Sequence, residues 1–200
     1  TPPVRSGGQI LVDALRVHGA DHAFCVAGES YLEVLDAFVD APGFRLITCR
    51  HEGGAANMAE AAGKLTGRPG IGFVTRGPGA CNASIAVHTA MQDSTPMILF
   101  IGQVARDQAE REAFQEIDYR RMFSPVAKWA AQIDDARRIP EFVARAFATA
   151  TGGRPGPVVL ALPEDMLRDR VEVPDTAPYA AVQAHPGAAD LERLAGLLAG

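Results

Sequence analysis

Short apolar runs rich in β-branched residues alternate along this chain with longer segments in which apolar side chains recur every three or four positions. An unbroken apolar run marks a buried strand and a period near 3.6 marks a helix; their alternation is the pattern of a parallel sheet with crossover helices. The predicted fold class is therefore α/β, a three-layer α/β/α sandwich around a central, mostly parallel sheet of about six strands. Gln9–His18 places Ile10, Leu11, Ala14, Leu15 and Val17 at helical spacing and stops at Gly19. A strand is predicted over Ala23–Val26, a turn over Ala27-Gly28-Glu29-Ser30, a helix over Tyr31–Val39 ended by Pro42-Gly43, and a strand over Arg45–Cys49. Glu52–Thr66, alanine-rich and free of proline, is a strong helix closed by Gly67. Gly70–Thr75 follows as a strand. Arg76-Gly77-Pro78-Gly79 reads as a tight turn into a helix from Ala80 to about Gln92, and Thr95-Pro96 leads into an apolar strand, Met97–Ile101.

Residues 103–124 form the most polar part and are expected to be a loop with a short helix around Arg111–Met122, over the sheet's edge or a cleft. Val126–Ala131 is a predicted strand, Ile139–Thr151 a helix with Pro140 in its first turn, and Pro157–Leu162 the last strand. One domain over residues 1–172 accounts for this pattern. Residues 173–189, with Pro174, Pro178 and Pro186-Gly187, have the composition of a linker, and the amphipathic stretch Asp190–Leu198 reads as the start of a further, truncated central domain over 190–200.

Composition adds limits rather than detail. The chain has 200 residues, 48% hydrophobic and 22% charged, with a formal net charge of -5 and no Lys/Arg cluster to neutralise a run of phosphates, so nucleic acid is not an expected partner. Cys25, Cys49 and Cys81 are odd in number, unpaired in spacing and set beside apolar residues, and are expected to be reduced and mostly buried. Thr1-Pro2-Pro3-Val4-Arg5-Ser6 has no apolar signal core, and no apolar run approaches the roughly 18 residues of a membrane helix. A cytoplasmic protein without membrane association is expected.

In open parallel sheets ligands collect at the carboxyl ends of the strands, so the turns there are the candidate sites. Arg50-His51-Glu52-Gly53-Gly54-Ala55-Ala56-Asn57 sets a carboxylate at a helix start among residues too small to cover it, which suits a ligand pressed against it; a solvated glutamate favoured by the helix dipole fits the same motif. His51 could act as a base or as a hydrogen-bonded structural residue. Thr75-Arg76-Gly77-Pro78-Gly79-Ala80-Cys81-Asn82 resembles a phosphate cradle but has neither dinucleotide nor P-loop spacing. Gly28-Glu29-Ser30-Tyr31-Leu32 resembles a hydrolase nucleophile elbow with Leu32 in place of the final glycine, leaving a serine hydrolase as an alternative. Ala113-Phe114-Gln115-Glu116-Ile117-Asp118 mixes an aromatic, an amide and acids in the polar segment, and no His/Cys/Asp group has metal-ligand spacing.

Taken in order, these motifs resemble the N-terminal, pyrimidine-binding domain of thiamine diphosphate enzymes, most closely the acetolactate synthase large subunit. The likeness covers residues 7–172 and is carried by Arg50-His51-Glu52, Thr75 with Gly77-Pro78-Gly79-Ala80 and Asn82, Gln92-Asp93-Ser94, Gly102-Gln103-Val104, Ala113-Phe114-Gln115-Glu116 and Gly153-Arg154-Pro155-Gly156-Pro157-Val158. The resemblance implies that Glu52 is the catalytic carboxylate: it hydrogen-bonds a ring nitrogen of the cofactor's aminopyrimidine and promotes the tautomer that accepts the thiazolium proton. Such a role leads us to expect that apolar neighbours in the fold shield Glu52 from water. By the same resemblance Val26, Ala27, Gly28, Thr75, Pro78, Gly79, Asn82 and Gln115 line the cofactor, Phe114 stands with Gln115 on the substrate side, and Arg154 matches an arginine that touches FAD.

The implied reaction decarboxylates a 2-keto acid and joins the remainder to a second carbonyl compound. A related decarboxylase, carboligase or lyase, and a non-catalytic binding domain of the same fold, are the alternatives. The resemblance also implies that Mg2+ is held by a domain absent here, since no Gly-Asp-Gly occurs, and that the cofactor lies against the diphosphate-binding domain of another subunit in a homodimer or homotetramer. Alone, the chain is expected not to turn over. Three departures stand out: Glu29 where the family's turn has glycine, Arg76 where it has serine, and Glu164 where it has lysine. Glu29 is thereby a substrate-side candidate.

Overall fold

Two strands whose seven residues are all buried form the centre of the molecule, as expected where helices cover both faces of a sheet. The computed structural model describes residues 2–199; Thr1 and Gly200, the outermost positions of the two predicted terminal segments, lie outside the described residues. In chain order the elements are β1 (Val4–Ser6), α1 (Gly7–Val17), β2 (His22–Cys25), α2 (Leu32–Val39), β3 (Arg45–Thr48), α3 (Glu52–Thr66), β4 (Gly70–Thr75), α4 (Arg76–Asp93), β5 (Met97–Gln103), α5 (Tyr119–Phe123), β6 (Trp129–Gln132), α6 (Ile139–Thr151), β7 (Pro157–Pro163), α7 (Glu164–Arg168), β8 (Arg170–Glu172) and α8 (Ala188–Leu198). Six strands form one parallel sheet in the order β3-β2-β4-β5-β7-β6. The α/β/α class read from the pattern is the fold observed.

Strand alternation divides the core into two layers. Ile98, Phe100, Val158, Leu160 and Leu162 pack with residues of α1, α2 and α6, whereas Met97, Leu99, Ile101, Val159 and Ala161 face α3, α4 and α5. The second layer is built from small side chains, with Ala55, Ala56 and Ala59 of α3 against Ala83, Ala86 and Ala90 of α4, so these helices approach closely.

Several boundaries differ from the sequence-based expectation. Helix α4 begins at Arg76, so Gly77-Pro78-Gly79 is its first turn and not a preceding loop; proline is tolerated there because its missing N–H has no intrahelical acceptor. The short helix expected around Arg111–Met122 forms only at the end of that range, as α5: before it Glu110, Glu112 and Gln115 have positive φ of 62°, 53° and 64°, and the Glu116 carboxylate accepts the amides of Glu110 and Ala113 at 2.7 and 3.1 Å. Side-chain acceptance of those amides replaces a helical ladder. Helix α5 begins only where Asp118 caps the amides of Arg120 and Arg121. Strand β6 starts at Trp129, not Val126. A two-stranded antiparallel ribbon of β1 and β8, together with α7, was not predicted.

After β8 the chain stays on the domain for several residues. Arg5 donates to the carbonyl of Val173 at 2.8 Å and pairs with Asp175 at 2.9 Å, and the amide of Tyr179 donates to Nδ1 of His18 at 3.0 Å. Residues 180–199 are exposed throughout, and α8 buries no residue. The cysteines are free, but only Cys25 is buried; Cys49 is half-buried and Cys81 exposed, because helical position 81 faces away from the sheet. No helix among the described residues is long and apolar enough to cross a membrane.

Candidate active site

The strand order sets β3, β2 and β4 side by side, so the turns that follow them share one rim of the sheet. Glu52 is the first residue of α3, after β3. His51 occupies the N-cap, its Nδ1 accepting the amide of Gly53 at 3.0 Å; the ring therefore caps the helix and is not placed as a free base. Asn82, in the second turn of neighbouring α4, donates from Nδ2 to Oε2 of Glu52 at 2.9 Å. Glu52 is half-buried, and the space beside Gly54 is open to 4 Å. The expected shielding of the carboxylate is thus not supplied by this chain alone: its neighbours are glycine and alanine, which leave its outer side uncovered.

The turn after β2 is held against the end of β4 by glycine. A β-carbon on Gly28 would lie 2.3 Å from Cβ of Thr75, so only glycine allows this approach. Thr75 Oγ1 shares a 2.5 Å hydrogen bond with Ser30 Oγ, and Ser30 is fully buried beneath Gly102, where a β-carbon would stand 2.0 Å from its hydroxyl. A buried serine committed to threonine is no nucleophile, which removes the hydrolase alternative. Val26 is half-buried; its amide donates to Phe73 at 3.3 Å and its carbonyl accepts the buried phenol of Tyr31, whose pKa burial pushes up. Ala27 is exposed at the rim.

Pro78 is exposed in the first turn of α4, and Gly79 packs on Val74. Gln115 reaches the same region through its backbone: its carbonyl accepts the amide of Gly77 at 2.9 Å, while Gln103 donates from Nε2 to the carbonyl of Ile117 at 2.8 Å. Phe114, 72% exposed, projects beside it. Arg154 is not brought to this rim. It donates to Ser94 Oγ and to the carbonyls of Met91 and Gln92, closing the far end of the 18-residue helix α4. Such a helix is about 27 Å long, so Arg154 lies at the opposite end of the strands from Thr75.

Sequence reading named Glu29, Arg76 and Glu164 separately and missed that they meet. Arg76 donates from Nη1 to Glu29 and from Nη2 to Glu164, each at 2.9 Å. No local signal could have shown this, since 47 and 88 residues separate the partners. Among the described residues no group of three His, Cys, Asp or Glu side chains could hold a metal ion.

Fold and rim together are those of an α/β domain with a half-buried carboxylate and glycine-lined turns at the carboxyl ends of its strands. The chain belongs to the thiamine pyrophosphate enzymes: the family described as "Thiamine pyrophosphate enzyme, N-terminal TPP binding domain" matches residues 5–122. Among its curated relatives, the mitochondrial acetolactate synthase of Schizosaccharomyces pombe is 37% identical over 170 residues, 85% of this chain and 25% of that protein. The acetolactate synthase of Bacillus subtilis is 34% identical over 184 residues, 92% of this chain and 32% of that protein. The isozyme 3 large subunit of Escherichia coli acetolactate synthase is 37% identical over 169 residues, 84% of this chain and 29% of that protein. The chain thus spans about a quarter to a third of the length of these relatives.

Proposed function

We propose that this domain activates the aminopyrimidine of thiamine diphosphate through Glu52, in an enzyme that decarboxylates a 2-keto acid and joins the remainder to a second carbonyl compound. The observation that carries the reading is the Glu52–Asn82 pair, a carboxylate oriented by an amide on the rim of a parallel sheet, with small residues around it and no other hydrogen-bond partner among the described residues. These residues fit a flat heteroaromatic ring: Glu52 can share a proton with a ring nitrogen, Asn82 keeps the carboxylate oriented, and Gly28 and Thr75 leave a close, smooth wall. When bound, the cofactor supplies a nucleophilic carbon and an electron sink. Gln115 and Phe114 border the approach for substrate, and Val26, Ala27, Pro78 and Gly79 complete the rim.

Water exclusion from Glu52 is left to a partner. Met58 and Ile85, 43% and 63% exposed, stand on α3 and α4, the helices that carry Glu52 and Asn82, and Phe114 is 72% exposed. This apolar border supports docking of the diphosphate-binding domain of another subunit in a homodimer or homotetramer, with Mg2+ held outside this chain. Arg154 is committed to the end of α4, so a contact with FAD would use the outer edge of its guanidinium. The acid-rich cluster at Glu29, Arg76 and Glu164 favours a second reading within the same family, a decarboxylase, carboligase or lyase with a different acceptor.

The test is Glu52→Gln in the full-length polypeptide, followed as exchange of the thiazolium C2 proton of bound cofactor. Glutamine keeps an oxygen for Asn82, so the fold and cofactor binding are expected to persist while exchange slows about 10²- to 10⁴-fold, the range for loss of a positioned acid–base group. Exchange within threefold of the unchanged protein would show that Glu52 does not activate the cofactor.

A further inference from the structure

The Glu29–Arg76–Glu164 cluster is built into the rim and is more than a surface ion pair. Glu29 follows Gly28 and Arg76 follows Thr75, two residues packed so closely that no β-carbon fits on Gly28, while Glu164 opens α7 after β7. The Arg76 side chain is 10% exposed and its Nε is buried without a partner, so its charge depends on the two carboxylates that take its Nη atoms. A guanidinium can hold two carboxylates in one plane, which fixes all three groups relative to one another. Arg76 also adopts a left-handed backbone conformation, φ 46°, that non-glycine residues rarely take. The side chains are graded outward: Glu164 is 25% exposed and Glu29 68%. Two carboxylates share one guanidinium, so the cluster carries one net negative charge, and Glu29 is its outermost member. Glu33 and Arg168 line the adjoining pocket of about 80 Å³ but neither pairs with the cluster among the described residues.

We propose that Glu29, held in place by Arg76 and Glu164, is a specificity-determining carboxylate that disfavours an anionic 2-keto acid as acceptor and favours an uncharged carbonyl compound such as an aldehyde. The inference rests on the reading of this rim as the cofactor-activating site. A like charge fixed where the acceptor docks raises the cost of an anion and leaves a neutral carbonyl unaffected, the usual way in which a site rejects one partner. Arg76 and Glu164 act through Glu29 as positioning residues.

The experiment uses the full-length enzyme with thiamine diphosphate, Mg2+ and pyruvate as donor, and offers pyruvate and acetaldehyde together as acceptors. Both products, acetolactate and acetoin, arise from one common intermediate, so their ratio is independent of the donor step. Glu29→Gln is expected to shift the ratio toward acetolactate by about fivefold, the factor a unit charge exerts roughly 8 Å away at an effective dielectric near 40. Arg76→Lys keeps the charge but not the two-carboxylate fork, and is expected to shift the ratio in the same direction by a smaller factor. A ratio unchanged in either variant, or moved toward acetoin, overturns the proposal while leaving the functional reading intact. Absence of carbon dioxide release by the unchanged enzyme from pyruvate or any other 2-keto acid overturns the functional reading, and this inference with it.

Discussion

Replacing Gly28 by alanine puts a methyl carbon 2.3 Å from Cβ of Thr75 and 2.7 Å from its Oγ1 and Cγ2. Carbon atoms rest at about 3.5–4.0 Å, so the turn after β2 and the end of β4 must separate by more than about 1 Å. Thr75 cannot rotate away freely, because its hydroxyl is tied to the fully buried Ser30. Loss of that hydrogen bond costs about 1 kcal/mol, and overpacking at a rigid contact adds about 1–3 kcal/mol, so the expected local destabilisation is about 2–4 kcal/mol. Hydrogen exchange reports it directly at the amide of Val26, which is bonded to the carbonyl of Phe73 across this junction. At about 1.4 kcal/mol per tenfold, protection there should fall by at least about thirtyfold. In Gly28→Ala/Thr75→Gly the contacting atoms are gone but Ser30 still lacks its partner, so protection should recover in part, by the share that the clash had cost. A change below threefold in the single variant, in a protein that remains folded, would mean that the turn has slack and that glycine is not required for the approach.

Two further outcomes follow from buried polar groups. His18 is buried and accepts the Tyr179 amide on Nδ1, and burial lowers its pKa. A folded-state value below the unfolded one, about 6.5, makes the contribution full above that pH and progressively lost as pH falls through the lowered value, where a protonated Nδ1 can no longer accept; protection of the Tyr179 amide, taken relative to its intrinsic exchange rate at each pH, should fall on going from pH 7 to pH 5, and pH-independent protection would refute this. Lys128 donates to the carbonyls of Thr149 and Gly152 at the end of α6. Lys128→Met should destabilise that helix end by about 2 kcal/mol, measured as amide exchange of its last turn, and protection equal to the unchanged protein would show that water replaces the ammonium at no cost.

Much of the architecture was legible in the chain because it rests on local periodicity. Glu52–Thr66 is helical as its alanines require, β5 and β7 are where unbroken apolar runs stand, and Glu52 opens its helix beside glycines as its motif implied. In the polar segment before α5 the helix starts later than its composition suggests, since Glu116 accepts backbone amides that a helix would otherwise use and the cap that opens α5 is Asp118. Strands of three residues, such as β1 and β8, carry no period to detect and exist only because their partners meet.

What the sequence determined by itself is therefore the alternation of elements and the residue types at the ends of the strands, properties set by contacts within a few residues of each other. Tertiary structure decided that β3, β2 and β4 lie together, that Asn82 reaches Glu52, that Ser30 is spent on Thr75, and that Glu29, Arg76 and Glu164 form one cluster. These pairings join segments far apart in the chain. They form only when burial of the two core layers offsets the entropy of closing the intervening loops, and a local pattern of residues records no trace of that balance.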